Sequence, residues 1–176
     1  MKAMLLKQVT NLKENKTPLV LEDRPQPVPA AGEILLKILA CGVCHTELDE
    51  IEGRTRPPRF PVIPGHQIVG RVEENGPGCR RFKKGQRVGA AWIFSSCGRC
   101  NFCLSGLENL CPDFKATGRD ADGGYAEYVK VREDYATPIP SVFKDIEAAP
   151  LLCAGTIGWR SFVLRTEERR RRKDFS

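Results

Sequence analysis

Nowhere in this sequence do apolar side chains run for the roughly 18 positions that a membrane-crossing helix needs, so no membrane span is expected. The opening MKAMLLKQVT has neither a long apolar core nor a small-residue cleavage site, which argues against a secretory leader and for a cytoplasmic chain. No internal repeat is present, and low complexity is limited to one arginine run. G-x-G-x-x-G is missing too. The GPG at 76–78 is followed by Cys79, Arg80 and Arg81 and reads as a turn between strands, not as a dinucleotide-binding turn. Histidine is scarce, with only His45 and His66. No stripe of Lys and Arg alternates with aromatics, so a net charge of +6 does not amount to a specific nucleic-acid surface. The tail Thr166–Ser176 carries five positive and three negative charges, which reads as a solvated charge run.

Cysteine, by contrast, is plentiful. Eight cysteines in a chain placed in a reducing compartment favour metal binding or catalysis over a disulfide framework. Four of them, Cys97, Cys100, Cys103 and Cys111, lie in SSCGRCNFCLSGLENLCPDF with the spacing C-x2-C-x2-C-x7-C. Four thiolates can surround one zinc ion tetrahedrally at about 2.3 Å, and such a saturated site is structural because it leaves no position for water. Gly98 and Gly106 relax the backbone where the loop must curl. The loop has too few apolar residues to fold on a core of its own, so the metal takes over that role. Free or paired cysteines, and an iron–sulfur cluster, are the alternatives to zinc.

The 176 residues suffice for one good domain, and a hydrophobic content of 41% is ordinary for a globular protein. Residues 1–40 read as strands around a Pro-rich bend, and HTELDEIEG reads as a short helix with Thr46 as a possible N-cap. RTRPPRFPVIP is too rich in proline for regular structure. HQIVGRVEENG, GQRVGAAWI and GGYAEYVKVRED read as strands, and DIEAAPLLCAGTIGWRSFVL as partly helical with Pro150 near a turn. Short strands between Gly and Pro turns argue for a mainly β, α+β fold with a barrel or sandwich-like core. Outside the loop remain Cys41, Cys44, Cys79 and Cys153. Cys41 ends a strand and Cys79 sits in a turn, and both read as small packing residues. Taken singly, Cys44, His66 and Cys153 are uninformative.

Several motifs in order make the chain similar to the zinc-dependent medium-chain alcohol dehydrogenases over roughly residues 1–162. They are GEILLKILACGVCHTELD, FPVIPGHQIVGRVEENGPG, FKKGQRVG, the cysteine loop, GGYAEYV and PLLCAGTIGWRS. The resemblance implies a GroES-like β-barrel catalytic domain over residues 1–161, holding two zinc ions. It assigns Cys44, His66 and Cys153 to a catalytic zinc with an open fourth position, beside the structural zinc of the loop. It makes Thr46 the hydroxyl that bonds the substrate oxygen, His45 a proton relay near the cofactor phosphate, and Glu47 the acid behind the zinc histidine. It implies an alcohol or aldehyde substrate and NAD or NADP as hydride carrier. Gln67 departs from the glutamate that many family members carry beside the zinc histidine.

After about Ser161 the resemblance stops. FVLRTEERRRRKDFS lacks the apolar strand that would open a Rossmann domain, so residues 162–176 are expected to form a divergent, disordered charged tail, with a frayed charged helix as the alternative. Without a dinucleotide domain the chain is expected to be inactive alone and to bind NAD(P) poorly. A surface that faces such a domain in the family is expected to promote self-association. The competing reading is a zinc-bound scaffold or partner-binding module without catalysis.

Overall fold

The main sheet is built where apolar residues alternate between Gly and Pro breaks. A computed structural model describes residues 1–173, with side chains through Thr166. Strands β1 (Lys2–Leu6) and β2 (Leu19–Asp23) pair antiparallel as a separate two-stranded sheet. The principal sheet has five antiparallel strands in the order β8 (Tyr128–Arg132), β3 (Glu33–Gly42), β4 (Gln67–Asn75), β5 (Arg87–Ala90) and β9 (Ala136–Pro138). A third pair, β6 (Ile93–Ser95) and β7 (Lys115–Ala116), closes the two ends of the cysteine loop. The fold is mainly β with short helices, as the sequence pattern implies.

Burial follows the two-residue period of a strand. In β8, Val129 and Val131 are buried between the half-buried Tyr128, Lys130 and Arg132. They join Ile34, Leu36, Ile68, Val72, Phe82 and Val88 in one core, where each large aliphatic side chain is worth roughly 1.5–3 kcal/mol. Cys41 and Cys79 pack against the same core, in line with their reading as small apolar residues, and the Cys79 thiol donates to the Glu33 carbonyl at 3.2 Å. Val69, on the opposite face of β4, meets Ala148 and Ala149 of helix α3 (Asp145–Pro150). Arg87 fixes the start of α3 to β5 by donating to Asp145 at 2.9 Å and to the Phe143 carbonyl at 2.9 Å.

Three features bring the functional residues to one end of this sheet. The β3–β4 register places Gly42 opposite Gln67, so the chain leaving β3 and the chain entering β4 lie side by side. Helix α1 (His45–Ile51) starts three residues after Gly42. Helix α3 runs directly into a π-helical turn, Leu151–Gly155, and Leu152 of that turn packs with the Val69 cluster.

One local expectation is corrected. Thr46 is not the N-cap of α1. Cys44 is, and Glu47 at the third helical position accepts the Cys44 amide through Oε2 at 2.7 Å. Of the two readings of the tail, the residues up to Lys173 follow the helical one, as helix α4, Thr156–Lys173, short α2 (Asn101–Leu104) having come earlier in the cysteine loop. After Gly158 this segment has neither glycine nor proline and is rich in Arg, with Glu167, Glu168, Leu164 and Lys173 beside it, all good helix formers. Residues 174–176 lie outside the described residues. Pro150 sits in the last turn of α3 and does not end the helical path. Along α4, Ile157, Trp159 and Phe162 are exposed, and no helix among the described residues is long and apolar enough to cross a membrane.

Candidate metal centres

The cysteine loop leaves β6, turns through α2 and a 3-10 turn at Glu108–Leu110, and returns at β7. Its apolar side chains Phe102, Leu104, Leu107 and Leu110 are all exposed, so the loop has no core of its own. Instead the sulfurs converge: all four thiols lie within 4.8 Å of one another. Cys100 and Cys103 Sγ are 3.5 Å apart, and Cys97 and Cys103 Sγ are 3.9 Å apart. A tetrahedron of thiolates about 2.3 Å from a zinc ion has edges of about 3.8 Å, so these separations fit that ion without rearrangement. They are far too long for a disulfide, and all eight cysteines are free. Gly98 and Gly106 adopt φ of 68° and 70°, the left-handed region that lets the chain curl around the centre.

Two of the loop's thiols, Cys97 and Cys103, are already biased towards the thiolate. Amides of Arg99 and Cys100 hold the Cys97 thiol down at about 6. The Ser96 hydroxyl beside Cys103 lowers that thiol as well. Cys111 accepts the Cys97 amide, yet burial and the neighbouring thiols Cys97 and Cys103 push it up to about 11. A bound cation would remove that mutual penalty, because thiolates are the ligand form.

Cys44, His66 and Cys153 form a second group, and their donor atoms also lie within 4.8 Å of one another. Cys44 and Cys153 Sγ are 3.9 Å apart although they are 109 positions apart in sequence. His66 is 1% exposed, and its Nδ1 lies 2.6 Å from Oε1 of the equally buried Glu47. Glu47 therefore touches the histidine with one oxygen and the Cys44 amide with the other. His66 Nε2 is buried and has no hydrogen-bond partner among the described residues. A buried imidazole nitrogen without a partner, beside two thiols, suits a zinc ligand set of two sulfurs and one nitrogen. Trp92 packs edge-on to His66 with ring centroids 5.1 Å apart, and the Arg119 guanidinium lies 5.6 Å from the Trp92 ring centre.

The other singled-out residues lie around this group. Thr46 Oγ1 accepts from Cys44 Sγ at 3.6 Å. His45 is exposed, with Nε2 3.6 Å from Asp49, and it does not join the buried group. Cys41 faces the core, where burial pushes its thiol up to about 12, the state of an inert packing residue. Sequence reasoning missed Glu50, Trp92 and Arg119. Glu50 is 1% exposed, and neither carboxylate oxygen has a hydrogen-bond partner among the described residues. Burial pushes its carboxyl up to about 8, the charge of Glu47 adds to that, and Arg119 opposes it. The available signal was the i, i+3 spacing of Glu47 and Glu50, which puts both acids on one face of α1.

Comparison with known proteins is consistent with this geometry. The alcohol dehydrogenase GroES-like domain family matches residues 30–141. An alcohol dehydrogenase of Geobacillus stearothermophilus is 45% identical over 147 residues, which cover 83% of this chain and 44% of that protein. Among solved structures, a cinnamyl alcohol dehydrogenase of Sorghum bicolor aligns with a TM-score of 0.81 at 29% identity, covering 94% of this chain and 48% of that one. A thermostable alcohol dehydrogenase of Pyrobaculum aerophilum, solved with cobalt and zinc bound, aligns with a TM-score of 0.77 at 30% identity, covering 86% of this chain and 44% of that one. The chain thus spans less than half the length of these relatives.

Proposed function

The chain belongs to the family of the alcohol dehydrogenase GroES-like domain, and from that premise we propose that it is the metal-binding catalytic portion of a zinc-dependent, NAD(P)-linked alcohol dehydrogenase of the cytoplasm. The observation that carries this reading is the convergence of Cys44, His66 and Cys153 around one point, with Glu47 behind the imidazole. Those three residues would hold the catalytic zinc, and Cys97, Cys100, Cys103 and Cys111 a structural one. When bound at the three-residue centre, zinc supplies a Lewis acid for the oxygen of an alcohol or aldehyde. Glu47 fixes the ring orientation of His66 and makes the imidazole a better donor. The Thr46 hydroxyl would bond the substrate hydroxyl and accept its proton while giving up its own, which His45, at the solvent-facing start of α1, would help relay to solvent. The hydride acceptor would be held by further chain of the kind that makes the relatives more than twice as long, with residues 1–161 as the catalytic domain.

Metal analysis tests this assignment. The purified chain is expected to hold two zinc ions, and Cys44→Ser to hold one. Cys41→Ser, the other half of the same C-x-x-C, is expected to keep both. A Cys41→Ser chain that loses zinc, or a Cys44→Ser chain that keeps two, refutes the ligand assignment.

Cofactor binding is a separate expectation. No G-x-G-x-x-G occurs in these residues, so titration with NADH or NADPH, followed by nicotinamide fluorescence, is expected to show no saturable binding by this chain alone. Tight saturable binding would mean that these residues build a cofactor site of their own.

A further inference from the structure

Each ligand of the three-residue centre needs something to hold it in place before a metal arrives. Glu47 does this for His66 and, through the amide, for Cys44. Cys153 comes from a different element, the π-helical turn after α3, and is only partly buried. Its sulfur lies 3.9 Å from Cys44 Sγ, and burial and Cys44 raise its thiol while the nearby Gln67 side chain opposes them.

Gln67 is 2% exposed and directly follows His66. Its Oε1 is buried without a hydrogen-bond partner among the described residues. The slot that oxygen occupies is created by Gly42, its register partner on β3. A methyl group built on Gly42 would lie 2.0 Å from Gln67 Oε1 and 3.0 Å from Cδ, so any side chain there would expel the amide. The oxygen thus sits over the Gly42 Cα, where a weak Cα–H···O contact is the interaction left to it. With the oxygen end seated there, the nitrogen end is the one free to turn towards sulfur. A carboxylate in the same slot has no hydrogen to give a thiolate and would add a negative charge beside it.

Resting on the metal-site reading above, we propose that Gln67 is a positioning residue of the three-residue centre: seated in the slot left by Gly42, its amide nitrogen donates to Cys153 Sγ and ties the π-helical turn to β4. The neutral amide that departs from the family's usual glutamate is then the group that sets the third ligand. Outer hydrogen-bond partners of metal ligands are typically worth about tenfold to a hundredfold in metal affinity.

The test is zinc release to excess 4-(2-pyridylazo)resorcinol from the zinc-saturated chain, followed by absorbance. Gln67→Met keeps the length of the side chain but removes the donor. It is expected to hold two zinc ions at saturation and to release one of them at least about tenfold faster than the parent, while the four-cysteine zinc leaves at the parental rate. Gly42→Ala is expected to do the same by displacing the amide. Once Gln67 is Ala there is no amide to displace, so Gly42→Ala combined with Gln67→Ala is expected to release no faster than Gln67→Ala alone. The unchanged four-cysteine zinc reports that each variant is folded. A parent with two zinc ions whose release matches that of Gln67→Met overturns this proposal alone. Full additivity of the Gly42 and Gln67 effects also overturns it. A parent that holds zinc only on the four cysteines overturns the metal-site reading and this proposal together.

Discussion

Cys103→Ser is expected to open the whole loop from Ser96 to Pro112 while leaving the five-stranded sheet intact. In hydrogen exchange, amides of α2 and the 3-10 turn should lose nearly all protection, and those of β3 and β4 should keep theirs. The physical reason is the composition of the loop. Phe102, Leu104, Leu107 and Leu110 face solvent, so little burial free energy holds the loop closed. Its order depends on the sulfurs, and Cys103 lies centrally among them, 3.5 Å from Cys100 and 3.9 Å from Cys97. Structural zinc binding in small domains is worth about 10–16 kcal/mol, and losing one of four thiolates forfeits a large part of it. The effect should also reach the second centre. Trp92 immediately precedes β6, which bears one end of the loop, and packs on His66. A Cys103→Ser chain with a fully protected loop would mean that packing, not metal, orders it.

The second large effect is expected at Glu50. Its carboxyl is buried, faces Glu47, and has only the Arg119 charge to favour ionisation. The folded-state value of about 8 exceeds the ordinary unfolded value of about 4.3. The folded chain therefore keeps a proton that the unfolded chain gives up. The contribution of Glu50 to stability is complete below about pH 4.3 and is lost as pH rises through about 8. Glu50→Gln cannot ionise and should escape that loss. In urea unfolding of the zinc-loaded chain, the variant is expected to gain ~1–3 kcal/mol over the parent at pH 8.5, and clearly less at pH 6. A gain independent of pH, or a loss at pH 8.5, would show that Glu50 is ionised and compensated in the folded state.

These two sites differ in how far they can be read from sequence. The four-cysteine loop is legible because its ligands are local: short spacings alone constrain which sulfurs can meet. The second centre is not legible in that way. Cys44 and Cys153 meet only because Gly42 pairs with Gln67 and because α3 lies on Val69 and delivers the π-helical turn. Resemblance to a family picked out those residues, whereas spacing could not. Glu50 escaped because α1 is turned against the usual pattern, with Glu47 and Glu50 inside and Leu48 exposed. Charge in a short helix reads as solvent-facing unless the neighbouring strands are known. The tail left two readings open for a related reason: its composition suits disordered coil, but an uninterrupted run of helix formers also continues a helix that α3 and the π turn have already started.

The most direct test of two distinct centres is zinc X-ray absorption on the purified chain at known zinc-to-protein ratio. One centre offers four thiolates, and the other two thiolates, one imidazole and an open position. The expected spectrum, at two zinc ions per chain, is an average shell of three sulfurs near about 2.3 Å and one light atom near about 2.0 Å, with imidazole outer-shell scattering. A pure four-sulfur shell at one zinc per chain would contradict it, leaving a zinc-stabilised scaffold whose Cys44, His66 and Cys153 hold no metal.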